Sequence, residues 1–173
     1  ETALKESNIL TLSLQNTGIG PLTLRKLATS LPAAVTSINC MHNPLGEGLQ
    51  VITKVFEETP RLRTLCGFEE GIETIDWSNS GKEPLEVALL AADLKAGRAA
   101  AVLNSLKCAN NPGMVGELEY GRLKTPDAHA EVFKQLTDNL KTSQVTEVDF
   151  SFCGIGPVAL GHLSEWVRDA EAA

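Results

Sequence analysis

The side chains able to do chemistry in this 173-residue sequence include four cysteines, three histidines and 22 carboxylates. Cys40, Cys66, Cys108 and Cys153 contain no CxxC pair, which excludes a zinc ribbon and a thioredoxin-type redox pair. Cys40 and Cys108 fall at inward strand positions, where a thiol behaves as a small hydrophobe, and Cys66 is the one expected to face outward. His42 is placed on a strand side, His129 and His162 on helices, each at a different phase. A metal site or a Cys–His dyad needs such groups to converge, and this arrangement keeps them on opposite faces. The turn GIGP, at 18–21 and again at 154–157, lacks the Lys-Ser/Thr of a Walker loop and the third glycine of a dinucleotide fingerprint. No catalytic residue, cofactor or metal is expected, and free buried thiols point to a reducing, intracellular and cytoplasmic setting.

The elements that position these side chains are set by composition and periodicity. At 43% apolar and 21% charged residues, the chain can form a core, and its length suits one domain spanning 1–173. A net charge of −7 argues against nucleic acid or an anionic membrane as the main partner. No apolar run approaches the ~20 residues of a membrane helix, and the start at Glu1 does not read as a signal peptide. Acids concentrate at 57–86, where Glu57, Glu58, Glu69, Glu70, Glu73, Asp76, Glu83 and Glu86 face only Arg61, Arg63 and Lys82. A patch of that density can steer a basic partner.

Two distant stretches match closely: 9–31, ILTLSLQNTGIGPLTLRKLATSL, and 145–167, VTEVDFSFCGIGPVALGHLSEWV. Both place apolar residues at relative positions 1, 4, 6 and 11, then a GIGP turn, then a helical apolar pattern. Val35, Ile38, Cys40, Asn43 and Leu45 fit the same frame, as do Ile72, Ile75, Trp77 and Ser80, and Leu103, Leu106, Cys108 and Asn111. Residues two apart, such as Leu12 and Leu14, share one face of a short strand. The Asn position ends the strand, where an amide can satisfy backbone groups left unpaired by the turn. Pro21, Pro126 and Pro157 suit first helical positions, and Leu24, Leu27 and Leu31 recur at helical spacing.

This LxxLxLxxNxL frame resembles the leucine-rich repeat, and its helical second halves resemble the ribonuclease-inhibitor-like subtype. The resemblance covers about 9–167 and implies an α/β solenoid of about five repeats, with parallel strands on a concave side and helices on the convex side. Start-to-start spacings of 26, 37, 31 and 42 make it irregular against the usual period of about 28. Leu62–Cys66 starts in phase only ten residues before Ile72, too few for a crossover, and is expected to be a loop or a hairpin with the next strand. Residues 112–125 are longer than their counterpart. They read as a self-packed loop on Met114, Val115, Leu118 and Leu123, or as a lip carrying contacts from Tyr120 and Arg122.

The resemblance implies a noncatalytic protein-binding scaffold with a polar concave surface, and the acidic patch adds the expectation of a basic protein partner. The frame places Ser13, Asn39, Asp76, Lys107 and Asp149 in one column there, with Glu147 among its flanking residues. The alternatives are a small-GTPase regulator of the Ran GTPase-activating type and a structural tier of a larger assembly. At the ends, Leu160, Leu163, Trp166 and Val167 are expected to close the C-terminal side. Leu4 alone among the large apolar residues is available to cover the first strand. That thin cover predicts the C-terminal piece of a longer array, or a contact with another subunit through the first repeat.

Overall fold

A computed structural model describes residues 8–171, which fall into two compact units divided between Glu70 and Gly71. The first unit begins with β1 (Thr11–Ser13), α1 (Pro21–Ser30), β2 (Ser37–Asn39) and α2 (Gly48–Glu58). β1 and β2 run parallel, with Leu12 beside Ile38. Proline opens α1, and Leu24 one turn on is fully buried where α1 meets α2. A Cβ on Gly48 would stand 3.0 Å from the Leu24 side chain, so the helices close around that glycine. Ile52 and Phe56, four apart on α2, supply its buried stripe.

The far edge of β2 is taken by residues 62–66. Ile38 N–H donates to the Thr64 carbonyl at 3.1 Å and Cys40 N–H to that of Leu65 at 2.9 Å. The bridge is parallel at Ser37–Thr64 and antiparallel at Asn39–Cys66, so the chain reverses direction against β2. Gly67, at φ +73°, makes the reversal possible, because a Cβ there would lie 2.8 Å from Asn39 Cβ.

The second unit holds β3 (Thr74–Asp76), α3 (Pro84–Ala96), β4 (Ser105–Lys107), β5 (Glu117–Glu119), β6 (Arg122–Thr125), α4 (Ala130–Leu140), β7 (Glu147–Asp149) and α5 (Pro157–Glu171). A parallel sheet in the order β3-β4-β7 sets Ile75, Leu106 and Val148 side by side. The helices pack in sequence, α3 on α4 and α4 on α5. Phe133 of α4 meets Phe150 edge to face at 5.1 Å, and Leu89, Leu90, Leu103 and Leu136 complete a fully buried core. β5 and β6 form a separate antiparallel hairpin whose tip, Tyr120-Gly121, has both residues at positive φ.

The fold corrects the expectation of a leucine-rich repeat solenoid. This is a small α/β protein with five helices and three separate small sheets among the described residues, not a solenoid or repeat protein. A strand forms in each of the five copies of the frame, but β2 ends one sheet and β3 begins another. The physical cause is the reversal at Thr64–Cys66, which occupies β2's edge with a segment that turns back. Leu62–Cys66 is accordingly a loop, as one of the two expectations had it, that makes two isolated bridges to β2. Pro126 opens no helix; α4 starts four residues later. Leu12, Leu14 and Val148 face inward in the frame but are only half-buried, because β1 and β7 each pair with a single strand among the described residues. Leu160 and Val167 do not close the C-terminal side, since both are exposed while Trp166 turns inward. Leu4 lies outside the described residues.

Candidate binding surface

Each parallel strand is followed by a turn with a residue in the left-handed region: Asn16, His42, Asn79, Asn110 and Phe152, with φ between 54° and 60°. Buried amides hold two of these turns. Asn111 Nδ2 donates to the carbonyls of Trp77 (2.8 Å) and Cys108 (2.7 Å), and its Oδ1 accepts from Lys82 N–H at 2.9 Å. Asn43 makes the matching bonds, donating to Leu14 O at 2.7 Å and Cys40 O at 3.1 Å while accepting from Thr17 and Ile19 N–H. At Cys153 a thiol takes the place of the amide and donates to the Cys108 carbonyl at 3.0 Å.

These turns anchor a charged row. Asp76, Lys107 and Asp149 stand side by side in the register of β3, β4 and β7. They alternate with the inward residues of those strands and so point away from the core. Each carboxylate accepts a hydrogen bond from the backbone N–H two residues on, Ser78 for Asp76 and Ser151 for Asp149, both at 2.9 Å. Hydrogen bonds from Ser78 hold the Asp76 carboxyl below its ordinary range, with a smaller pull from the Lys107 ammonium. Asp149 is lowered in the same way by Ser151 and then by Lys107, with Asp76 opposing. Both carboxylates therefore stay ionised at neutral pH, with Lys107 between them. Thr74, Ser105 and Glu147 flank the row on one side, and the buried Ser105 hydroxyl fixes Glu147 by donating to Oε2 at 2.6 Å.

The residues expected to form one column are divided. Asp76, Lys107, Glu147 and Asp149 share the second unit's sheet, whereas Ser13 and Asn39 belong to the first. There Asn39 repeats the strand-end bond, accepting from Met41 N–H at 3.1 Å, and donates to Gln15 Oε1 at 3.1 Å. Tyr120 and Arg122 are exposed on the hairpin, Tyr120 almost completely. The base of that hairpin is tied to the turn after β7: Val115 N–H donates to Cys153 O at 3.2 Å. Gly154, at φ +76°, admits the approach, because a Cβ there would lie 2.6 Å from Gly116 N. Met114 and Val115 are core residues, so the long segment is half core and half exposed hairpin.

Cys66 is buried, contrary to expectation, as are the other three free thiols. Burial pushes the Cys153 thiol up to about 11 and that of Cys108 further still. Neither is a thiolate at neutral pH. Among the described residues no three His, Cys, Asp or Glu side chains gather where they could hold one metal ion.

Two residues were missed in the sequence. Phe152 stands 80% exposed in the left-handed region, one residue past Ser151. The signal was present: an aromatic occupies the phase where Asn16, Asn79 and Asn110 stand elsewhere. Asp127 had no local signal, since it caps α5 from 30 residues away. Its carboxylate accepts from the N–H groups of Gly156 (2.8 Å), Val158 (2.8 Å) and Ala159 (3.0 Å). A Cβ on Gly156 would lie 2.5 Å from that carboxylate.

No family model and no curated protein matches this chain. The strand–turn resemblance thus carries no family assignment, and the reading of the surface rests on its geometry.

Proposed function

We propose that this chain is a noncatalytic protein-binding module whose contact surface is the exposed face of β3, β4 and β7. The observation that carries the reading is the in-register row Asp76–Lys107–Asp149, whose two carboxylates are held in place by the strand-end turns. Phe152 adds an exposed aromatic in a sparsely populated backbone conformation, the kind of strain that persists where contact rewards it. Tyr120 and Arg122 add a second contact from the hairpin. The surface is polar and carries two carboxylates to one ammonium, which suits a protein partner with a basic patch. Among the described residues no helix is long and apolar enough to cross a membrane. The four free, buried thiols support an intracellular, cytoplasmic setting.

The test compares affinity capture from the native source by the wild-type chain and by an Asp76→Lys, Asp149→Lys variant. Loss of a specific protein from the variant's captured set, with weaker salt dependence of what remains, is the expected result. An identical set at identical salt sensitivity would remove this face from the binding surface.

A further inference from the structure

We propose that the partner element received by the β3–β4–β7 face is an α-helix laid across the strands, carrying basic, acidic and basic side chains at positions i, i+3 and i+7. This rests on the reading of that face as the contact surface, and it adds the shape and charge order of what binds there. The parallel register aligns Asp76, Lys107 and Asp149 on three neighbouring strands. Strands in a sheet stand roughly 4.8 Å apart, so the two aspartates are about 9.6 Å from each other with Lys107 halfway. Ser78 and Ser151 N–H groups hold one oxygen of each carboxylate at 2.9 Å, which fixes that pitch at the charged ends as well.

The charges of the row are uncommitted. Elsewhere on the second unit's surface opposite charges close ion pairs, as Lys124 does with Glu119 at 2.8 Å and Lys141 with Asp169 at 2.9 Å. Lys107 stands between two carboxylates, yet among the described residues none of the three makes an ion pair. Each carboxylate is instead drawn along its own strand by the N–H two residues on. The ladder continues past the row, with Asn79 N–H donating to Ala109 O and Asn110 N–H to Ser151 O. Ser78, Ala109 and Ser151 therefore border the row with small side chains, which leave room for a helix to approach.

Pitch and charge select the occupant. A helix rises about 1.5 Å per residue, so same-face residues three and seven apart lie about 4.5 and 10.5 Å along its axis, each within about 1 Å of the row. A strand returns to one face every ~6.7 Å, which misses Lys107 by about 2 Å and the far aspartate by about 4 Å. A polyproline segment returns every ~9.3 Å, which serves both carboxylates and leaves the ammonium without a counter-charge. An all-basic occupant would set one cation against Lys107, so the middle position is acidic. Phe152, 80% exposed in the turn after β7, gives the helix an apolar contact at that end.

An amide-shift titration of the whole isotope-labelled chain with synthetic peptides, carried to millimolar concentration at fixed salt, tests this. The probes are an alanine-rich helical peptide with Arg, Glu and Arg at i, i+3 and i+7, an isomer with the same residues at i, i+2 and i+5, and the first peptide broken by two prolines. The first should bind about five- to tenfold tighter than either other, the worth of three exposed pairs, with shifts centred on Asp76, Lys107, Asp149 and Phe152. Lys107→Glu, which keeps both held carboxylates, should remove the preference over the isomer. A chain with Asp76→Lys, Lys107→Glu and Asp149→Lys, its folding checked by circular dichroism, should prefer Glu, Arg and Glu at those helical positions. Equal binding of the isomer or of the proline-broken peptide, or no shift in the row with any probe, would overturn the helix and its charge order. The capture comparison with Asp76→Lys, Asp149→Lys then tells whether the face itself also falls: a changed captured set keeps it as a contact surface, and an unchanged set removes both.

Discussion

The sheet of β1 and β2 and the sheet of β3, β4 and β7 are built from the same strand, turn and amide, yet they end differently. In the first, β2 is flanked by Thr64–Cys66, a segment that reverses after two bridges. In the second, β4 has a full parallel strand on each side. The consequence is visible in matched residues: Leu106 is fully buried, while Leu12 on the edge strand β1 is half-exposed. The polar face differs too. The first sheet presents Ser13 and Asn39, the second the row Asp76, Lys107 and Asp149. A shared local pattern therefore does not dictate burial, which follows the number of strand neighbours, while the charge of the exposed face follows residue identity.

The sharpest break in this comparison is a pair of core truncations. Leu106→Ala should cost about 2–5 kcal/mol by urea unfolding, and Leu12→Ala less than half of that. Equal costs would mean that neighbour count does not set core strength. The buried amides should behave alike in both units. Asn111→Ala and Asn43→Ala each strand carbonyl and N–H groups at a turn and should cost about 1–3 kcal/mol. A neutral Asn111→Ala would show that the turn holds without its amide.

Asp127→Ala should cost about 1 kcal/mol through loss of the α5 cap. Burial raises the Asp127 carboxyl, but bonds from Val158, Gly156 and Ala159 together with nearby His162 outweigh it and leave the carboxyl below its ordinary value. A carboxylate lowered on folding stabilises the protein fully above its unfolded value, about 3.9, and loses that contribution as pH falls through the folded value. The stability gap between wild type and Asp127→Ala should thus hold from neutral pH to about 4 and narrow below it.

Phe152→Asn should stabilise the chain by about 1 kcal/mol, since Asn accepts the left-handed backbone more readily. The same change should weaken partner capture if Phe152 is a contact. The smallest stability effect is expected for Asp149→Lys, about 0.5–1 kcal/mol by thermal melting, through loss of the bond from Ser151 N–H.

The positions of all five parallel strands could be read from the spacing of apolar pairs such as Ile38–Cys40 and Leu106–Cys108, and the turns from Asn43 and Asn111. These signals are short-range: side-chain alternation, helix-opening prolines and an amide reaching across a single turn. The α/β class and the outward placement of Asp76, Lys107 and Asp149 follow from them alone. Whether neighbouring strands join one sheet was decided elsewhere, by the approach of Gly67 to Asn39 and the reversal of the chain against β2. The burial of Cys66 and the division of Ser13 and Asn39 from the charged row are consequences of that one contact. So is the capping of α5 by Asp127 a matter of distant residues meeting, and no local pattern announces it. Local periodicity determines which backbone is strand and which side chain points out. Tertiary packing alone determines which edges are filled, because an edge is indifferent to the sequence that pairs with it.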